Sequence, residues 1–272
     1  MMSVSIPTLG LIAGNGKFPI LLARNLKSQN IKIKAVGIKG DTSVFLKPLV
    51  EELVWIDPGE LRRLFEYFKK EGIHKVVMAG QVNPKNLFDG KRRWDDDLQS
   101  LLAGLPNRKA DTIFGAIADK LKKEGIELLD STFFLTDHLS PKGTLTRRAP
   151  TLKELADIEF GWTIAKAMGE LDVGQTVVVK EKAILAIEAM EGTDRTILRG
   201  GKIARSGAVV VKMSKPRQDH RFDVPVVGPK TIRTMRKVKA GCLAIEAGKT
   251  LLLERESLIR LADQARICVV AA

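Results

Sequence analysis

The sequence predicts an α/β N-terminal domain with a parallel, doubly wound (Rossmann-like) sheet over residues 1–137, joined to an α+β C-terminal domain over residues 145–272. Up to about residue 135, short apolar runs alternate with segments of helical period, the pattern of βαβ units around a parallel sheet. Beyond Pro141, Gly143 and Pro150 the apolar runs crowd together, divided by turns with few helical periods between them. The chain has 272 residues, 44% hydrophobic and 28% charged, enough apolar material for one or two cores and too much for extended disorder.

Residues 9–13 form a strand ending at Gly14, after which Phe18, Leu21, Leu22 and Leu26 recur at helical spacing. Strands follow at 31–36, 53–56 and 75–79, with a helix opened by Pro58 and stopped by Gly72. Residues 90–110 interrupt this order with charge around a short apolar helix. Asp111 is then placed as the cap of a helix carrying Ile113, Ile117 and Leu121. Thr151 and Glu154 have capping-box spacing at the head of a helix reaching Gly169. TVVVK, AILAIEA, GAVVVKM, CLAIEA and ICVVAA read as the strands of the second domain.

Several function classes are disfavoured. No apolar run approaches the ~20 residues of a membrane-spanning helix, and the start lacks the features of a secretory signal, so the protein is expected to be cytoplasmic. Cys242 and Cys268 sit in apolar strings and are expected as buried free thiols rather than zinc ligands or a disulfide framework. The net charge of +13 calls for an anionic partner, but aromatics are only 5% and do not alternate with basic residues, which favours a phosphorylated small molecule over nucleic acid. His74, His138 and His220 have no metalloprotease spacing, and no serine sits in a nucleophile elbow.

Four segments carry candidate chemistry. Gly14, Asn15 and Gly16 leave a strand and open a helix, where backbone N–H groups receive phosphate. Pro19 replaces the third glycine of the dinucleotide fingerprint and no acid ends the second strand, which argues against NAD. Gln81, after Gly80, leaves the fourth strand in the same manner. Glu188, Glu191 and Asp194 crowd one glycine turn as candidate oxygen ligands for a hard divalent cation. Lys215, Arg217, Asp219, Arg221 and Asp223 mix cations with carboxylates in one irregular stretch, a combination suited to phosphoryl chemistry. The pentapeptide at 185–189 recurs at 243–247, and strand alternation would put Glu188 and Glu246 either opposite the large apolar side chains or at the strand mouth, where two acids could face one site; coincidence from common strand vocabulary is the preferred reading of the repeat.

In order along the chain, LIAGNGKFP, AGQVNP, DVGQTVVVKEKAILAIEAMEGTD, VKMSKP before Gln218 and Asp219, and DVPVVGP from Asp223 resemble the UDP-2,3-diacylglucosamine pyrophosphatase family of lipid A biosynthesis. This is the version unrelated to calcineurin-like phosphoesterases. The resemblance implies a Mg²⁺-dependent hydrolase that yields UMP and 2,3-diacylglucosamine 1-phosphate by attack of water on the sugar-side phosphorus. It further implies a homodimer, with the positive charge suited to an anionic lipid at the cytoplasmic face of the inner membrane. On that footing Asp223 and Asp219 are the expected catalytic residues. Asp219, Asp223, Glu188, Glu191 and Asp194 are the candidate Mg²⁺ ligands, and Gly14, Asn15, Gly16, Gln81, Thr193, Lys215 and Arg221 the substrate contacts. Two rival readings use other features: an NAD-dependent nucleotide-sugar oxidoreductase, and a non-catalytic basic adaptor for nucleic acid or anionic membrane.

Overall fold

The computed structural model describes residues 8–82, 94–216 and 218–272. Contacts divide the chain into two compact units, Met1–Leu135 with Asp219–Asp223, and Thr136–Gln218 with Val224–Ala272. Among the described residues no helix is long and apolar enough to cross a membrane.

The first unit runs β1 (Thr8–Ala13), α1 (Phe18–Ser28), β2 (Lys32–Ile38), a 3₁₀ turn (Val44–Leu49), β3 (Glu52–Ile56), α2 (Leu61–Lys70), β4 (Lys75–Ala79), α3 (Asp96–Ala103), α4 (Ala110–Lys123) and β5 (Glu127–Leu129). All neighbouring strands are parallel, in the order β3-β2-β1-β4-β5. Burial of Leu9, Leu11 and Val76–Val77 accounts for the unbroken apolar character of the central strands, as a sheet covered on both faces requires. In α2, Leu61, Leu64, Phe65 and Phe68 form one buried stripe at helical spacing. Strand order reverses between β1 and β4, and the crevice at such a switch point, at the carboxyl ends of the strands, is where α/β sheets receive ligands.

Two helix starts differ from expectation. Pro58 does not open α2: Glu60 N donates to Asp57 O at 3.0 Å and Asp57 N to the Glu60 carboxylate at 2.8 Å, closing a turn that delays the helix to Leu61. Asp111 does not cap α4, whose N-cap is Lys109. Asn107 organises this start instead, its Oδ1 accepting from Lys109 N at 3.0 Å and Thr112 Oγ1 at 2.8 Å, while Asp111 sits in the first turn.

The second unit contains a 3₁₀ turn (Thr136–His138), β6 (Gly143–Thr144), α5 (Leu152–Glu170), β7 (Thr176–Lys180), β8 (Ala183–Ile187), α6 (Thr193–Ala204), β9 (Val209–Lys212), β10 (Val226–Val227), α7 (Pro229–Lys237), β11 (Cys242–Ile245), β12 (Leu251–Leu252), α8 (Arg255–Gln264) and β13 (Cys268–Ala271). Its main sheet is mixed, in the order β6-β13-β11-β9-β7-β8. Strands β9, β11 and β13 are parallel, while β6 and the β7–β8 hairpin join antiparallel. The capping box forms at α5: Glu154 N donates to Thr151 Oγ1 at 3.2 Å and Thr151 N to Glu154 Oε2 at 2.8 Å.

Alternation sends Val178, Val210, Leu243 and Val269 into one core and Val177, Val211, Cys242 and Cys268 into another, so both faces are covered. Cys242 and Cys268 lie opposite each other in register, buried and unbridged. The expectation of few helices between these strands is corrected by α6, α7 and α8. Gly200 and Gly201 weaken the helical signal of α6, and they are there for packing: a Cβ on Gly201 would lie 2.3 Å from Val238.

Candidate active site

In the first unit, the turns leaving β1 and β4 are joined by backbone. Gly14 N donates to Ala79 O at 2.8 Å, Asn15 N to Gln81 O at 2.7 Å, and Gln81 N to Asn15 O at 3.3 Å. The two segments singled out in the sequence, Gly14–Gly16 and Gly80–Gln81, therefore form one structure at the switch point. Glycine is required for this approach: Gly80 has φ +89° and a Cβ there would sit 2.5 Å from Asn15 O. Asn15, Gly16 and Gln81 are exposed on this rim. Helix α1 begins beside it with no side-chain cap, and Pro19 in its first turn contributes no N–H. Thr42 fastens the neighbouring strand end, accepting from Ile38 N at 2.8 Å and donating to Ala13 O. Asn83 and Pro84, the end of the second motif, lie outside the described residues, as does Arg217.

The turn Asp219–Asp223 groups with this same unit. Phe222 stacks on Phe114 with centroids 5.8 Å apart, and Ser131 Oγ donates to His220 O at 3.2 Å, which anchor the turn. Asp223 N donates to Asp219 O at 2.9 Å, so both aspartates belong to one helical turn. Arg221 clasps Asp219, with Nη2 to Oδ2 at 2.6 Å and Nε to Oδ1 at 2.9 Å. That hydrogen bonding holds the Asp219 carboxyl below the usual range against the opposing effect of burial. Arg221 is thus the partner of Asp219, and the half-buried Lys215 pairs with Asp172 at 2.7 Å in the second unit.

A second polar cluster occupies the sheet edge of the second unit. Because β8, β9 and β11 run in one direction, Glu188 and Glu246 leave the same edge of the sheet. Thr176 pairs with Lys212 across β7 and β9, and Glu188 N donates to Thr176 O at 2.9 Å, so these three residues lie in one row. Lys212 Nζ donates to Thr193 Oγ1 at 2.8 Å, and Thr193 Oγ1 donates to Glu188 Oε1 at 2.9 Å. Lys212 is only 4% exposed and Glu188 only 7%. Glu188 Oε2, Gln175 Oε1 and Ser214 Oγ are buried without a protein partner. Glu246 Oε2 accepts from Ser214 N at 2.9 Å.

Glu191 and Asp194 face elsewhere in charge terms. Burial works to raise the Glu191 carboxyl, but hydrogen bonds led by Arg199, 2.6 Å away, hold it low. Asp194 pairs with Lys230 at 2.8 Å and accepts from Thr234 at 3.3 Å. Among the described residues no three Asp, Glu, His or Cys side chains gather as a cation cluster. The five carboxylates named from the sequence are therefore not drawn into one cage within either unit, and Glu188 is the member that retains an unpartnered buried oxygen. Sequence reasoning missed Lys212, Thr176, Ser214 and Gln175, whose juxtaposition depends on strand register rather than on any local motif.

Along both halves the chain matches a family of hydrolases. The chain belongs to the LpxI family: the LpxI N-terminal domain matches residues 8–138 and the LpxI C-terminal domain residues 141–270. One relative, the UDP-2,3-diacylglucosamine pyrophosphatase LpxI of Caulobacter vibrioides, is 30% identical, with 96% of each chain covered. Among solved structures, an ADP complex of N5-carboxyaminoimidazole ribonucleotide synthetase matches at 14% identity and TM-score 0.30, over 66% of this chain and 34% of that one. The biotin carboxylase subunit of pyruvate carboxylase matches at 11% identity and TM-score 0.28, over 68% of this chain and 38% of that one. The chain spans little more than a third of those structures, and likenesses at that level carry no weight for function.

Proposed function

We propose that the protein hydrolyses the pyrophosphate bond of UDP-2,3-diacylglucosamine, releasing UMP and 2,3-diacylglucosamine 1-phosphate. The observation that carries this reading is membership of the LpxI family along both halves of the chain, with a relative of that named activity at 30% identity. The geometry supports it from each unit. In the joined turns Gly14, Asn15 and Gln81 spend their N–H groups on each other's segment, so it is the exposed side chains of Asn15 and Gln81 that the rim offers to the substrate. Asp219 and Asp223 share one turn, where the Arg221 clasp keeps Asp219 ionised and in place. Asp223 is the residue assigned to align the attacking water, with attack at the sugar-side phosphorus.

Mg²⁺ is proposed as the cofactor on chemical grounds, since a divalent ion neutralises charge developing on phosphoryl oxygens. Mg²⁺ is commonly held by one or two carboxylates together with substrate phosphates, so a cage of three protein carboxylates is not required. Asp223 is the carboxylate proposed to meet it. A homodimer in peripheral contact with the cytoplasmic face of the inner membrane completes the proposal, with the net charge of +13 suited to an anionic surface.

Purified protein incubated with UDP-2,3-diacylglucosamine and Mg²⁺ is expected to release UMP, and chelation of the metal is expected to stop release. Absence of UMP at any metal concentration would overturn the reading.

A further inference from the structure

We propose that Lys212, with Thr193 and Glu188, is the subsite for the sugar-phosphate half of the substrate. In it, Lys212 contacts a phosphoryl oxygen and Glu188 Oε2 accepts a hydrogen bond from the sugar. This rests on the hydrolase reading above and names the cation that serves it.

The argument begins with an imbalance. A lysine ammonium has three N–H donors and is seldom buried without a carboxylate. Lys212 is 4% exposed, donates to the Thr193 hydroxyl, and has no carboxylate within ion-pair distance among the described residues. Thr193 cannot answer with its own proton, which is committed to Glu188 Oε1. Two ammonium hydrogens are therefore left over inside the unit, where a buried charge without acceptors is costly. Glu188 has the converse surplus, an acceptor oxygen with nothing donating to it.

The surroundings select an anion for Lys212. It closes β9 at the carboxyl edge of the sheet, and Thr193 is the first residue of the twelve-residue helix α6. The N-cap of α6 is Gly192, and no side chain caps its first turn, so helix N–H groups and ammonium serve one place. Lys215 and Arg221, the cations favoured by sequence, are already paired with Asp172 and Asp219. A ligand that satisfies both surpluses carries an anionic oxygen beside a hydroxyl or amide N–H, which is the chemistry of an amino-sugar 1-phosphate.

Lys212→Met retains the aliphatic stem and removes the charge. We expect kcat on UDP-2,3-diacylglucosamine to fall about 10²–10³-fold, the usual loss for one group stabilising transition-state charge, with the thermal midpoint little changed. A folded Lys212→Met protein with wild-type kcat and KM would overturn the proposal. Should that variant fail to fold, the wild-type protein answers by NMR of its ¹⁵N-labelled lysine ammonium groups. On titration with N-acetylglucosamine 1-phosphate, the Nζ signal in contact with Thr193 is expected to shift, and N-acetylglucosamine alone is expected to leave it in place. An unmoved signal at saturating sugar phosphate would overturn the proposal. Wild-type protein that shows this shift yet releases no UMP would sink the hydrolase reading while leaving the subsite standing.

Discussion

The two units make polar sites by opposite means. At the β1/β4 switch point the site is backbone: Gly14 and Gly80 bring two turns into hydrogen-bond contact, and the side chains of Asn15 and Gln81 hang from the rim. At the edge of the second sheet the site is side chain: Lys212, Thr193 and Glu188 are presented by three separate elements and linked by hydroxyl chemistry. A backbone site depends on φ values and Cβ clearance, whereas a side-chain site depends on strand register. The first should yield to single glycine replacements, the second to isosteric removal of one functional group.

The largest effect is expected outside both clusters, at Asp223. Asp223→Ala should abolish turnover while leaving the far-UV CD spectrum and thermal midpoint intact, and residual hydrolysis near the wild-type rate would remove it from the chemistry. Next comes the backbone site. Gly80→Ala forces φ +89° on a residue whose Cβ would meet Asn15 O, and should cost on the order of 3 kcal/mol by chemical denaturation. Gly16→Ala, with φ +91° but open space around the Cβ, should cost only about 1 kcal/mol. Equal losses at the two glycines would break the claim that close approach, rather than φ alone, builds the turn pair.

Smaller effects test ion pairs that hold each unit. Arg148 grips Glu154 with both terminal nitrogens, at 2.7 and 2.9 Å, and also donates to Gly241 O at 2.6 Å. Burial acts to raise the Glu154 carboxyl, and the Arg148 and Thr151 hydrogen bonds outweigh it and hold it low. Arg148→Met should therefore destabilise by roughly 2 kcal/mol, the pair being only partly buried. Asp219→Asn is the mildest, at most about 1 kcal/mol at neutral pH because the pair is partly solvated. Its folded pKa is depressed, so the carboxylate stabilises above the usual value near 4 and that contribution fades as pH falls through the folded value. The stability gap between wild type and Asp219→Asn should accordingly close in acid, and a gap that widens would contradict the Arg221 clasp.

Legibility in the sequence followed the range of the interactions. Strand β4 lies at 75–79 as read, and the capping box of Thr151 and Glu154 forms, because both are written in adjacent residues. The start of α2 is not legible at Pro58 because a proline fits the first turn of a helix and the turn before it alike, and the Glu60 side chain closes the preceding turn. Helix α6 was hidden by glycines whose purpose, clearance for Val178 and Val238, is a tertiary fact. Gly14, Gly80 and Gln81 can be found separately, but the bonds of Gly14 to Ala79 and of Asn15 with Gln81 that join their turns cannot. Lys212 ends an apolar run and resembles any solvent-facing strand terminus; register with Thr176 is what buries it. Arg221 is occupied by its sequence neighbour Asp219, whereas Lys215 is occupied by Asp172, a partner that only the fold brings near.

Hydrolysis at the sugar-side phosphorus is tested most directly by turnover of UDP-2,3-diacylglucosamine in ¹⁸O-water with mass analysis of both products. The proposed reaction predicts unlabelled UMP and one ¹⁸O in 2,3-diacylglucosamine 1-phosphate. Label in UMP would contradict the assigned point of attack, and the absence of both products would contradict the hydrolase reading itself.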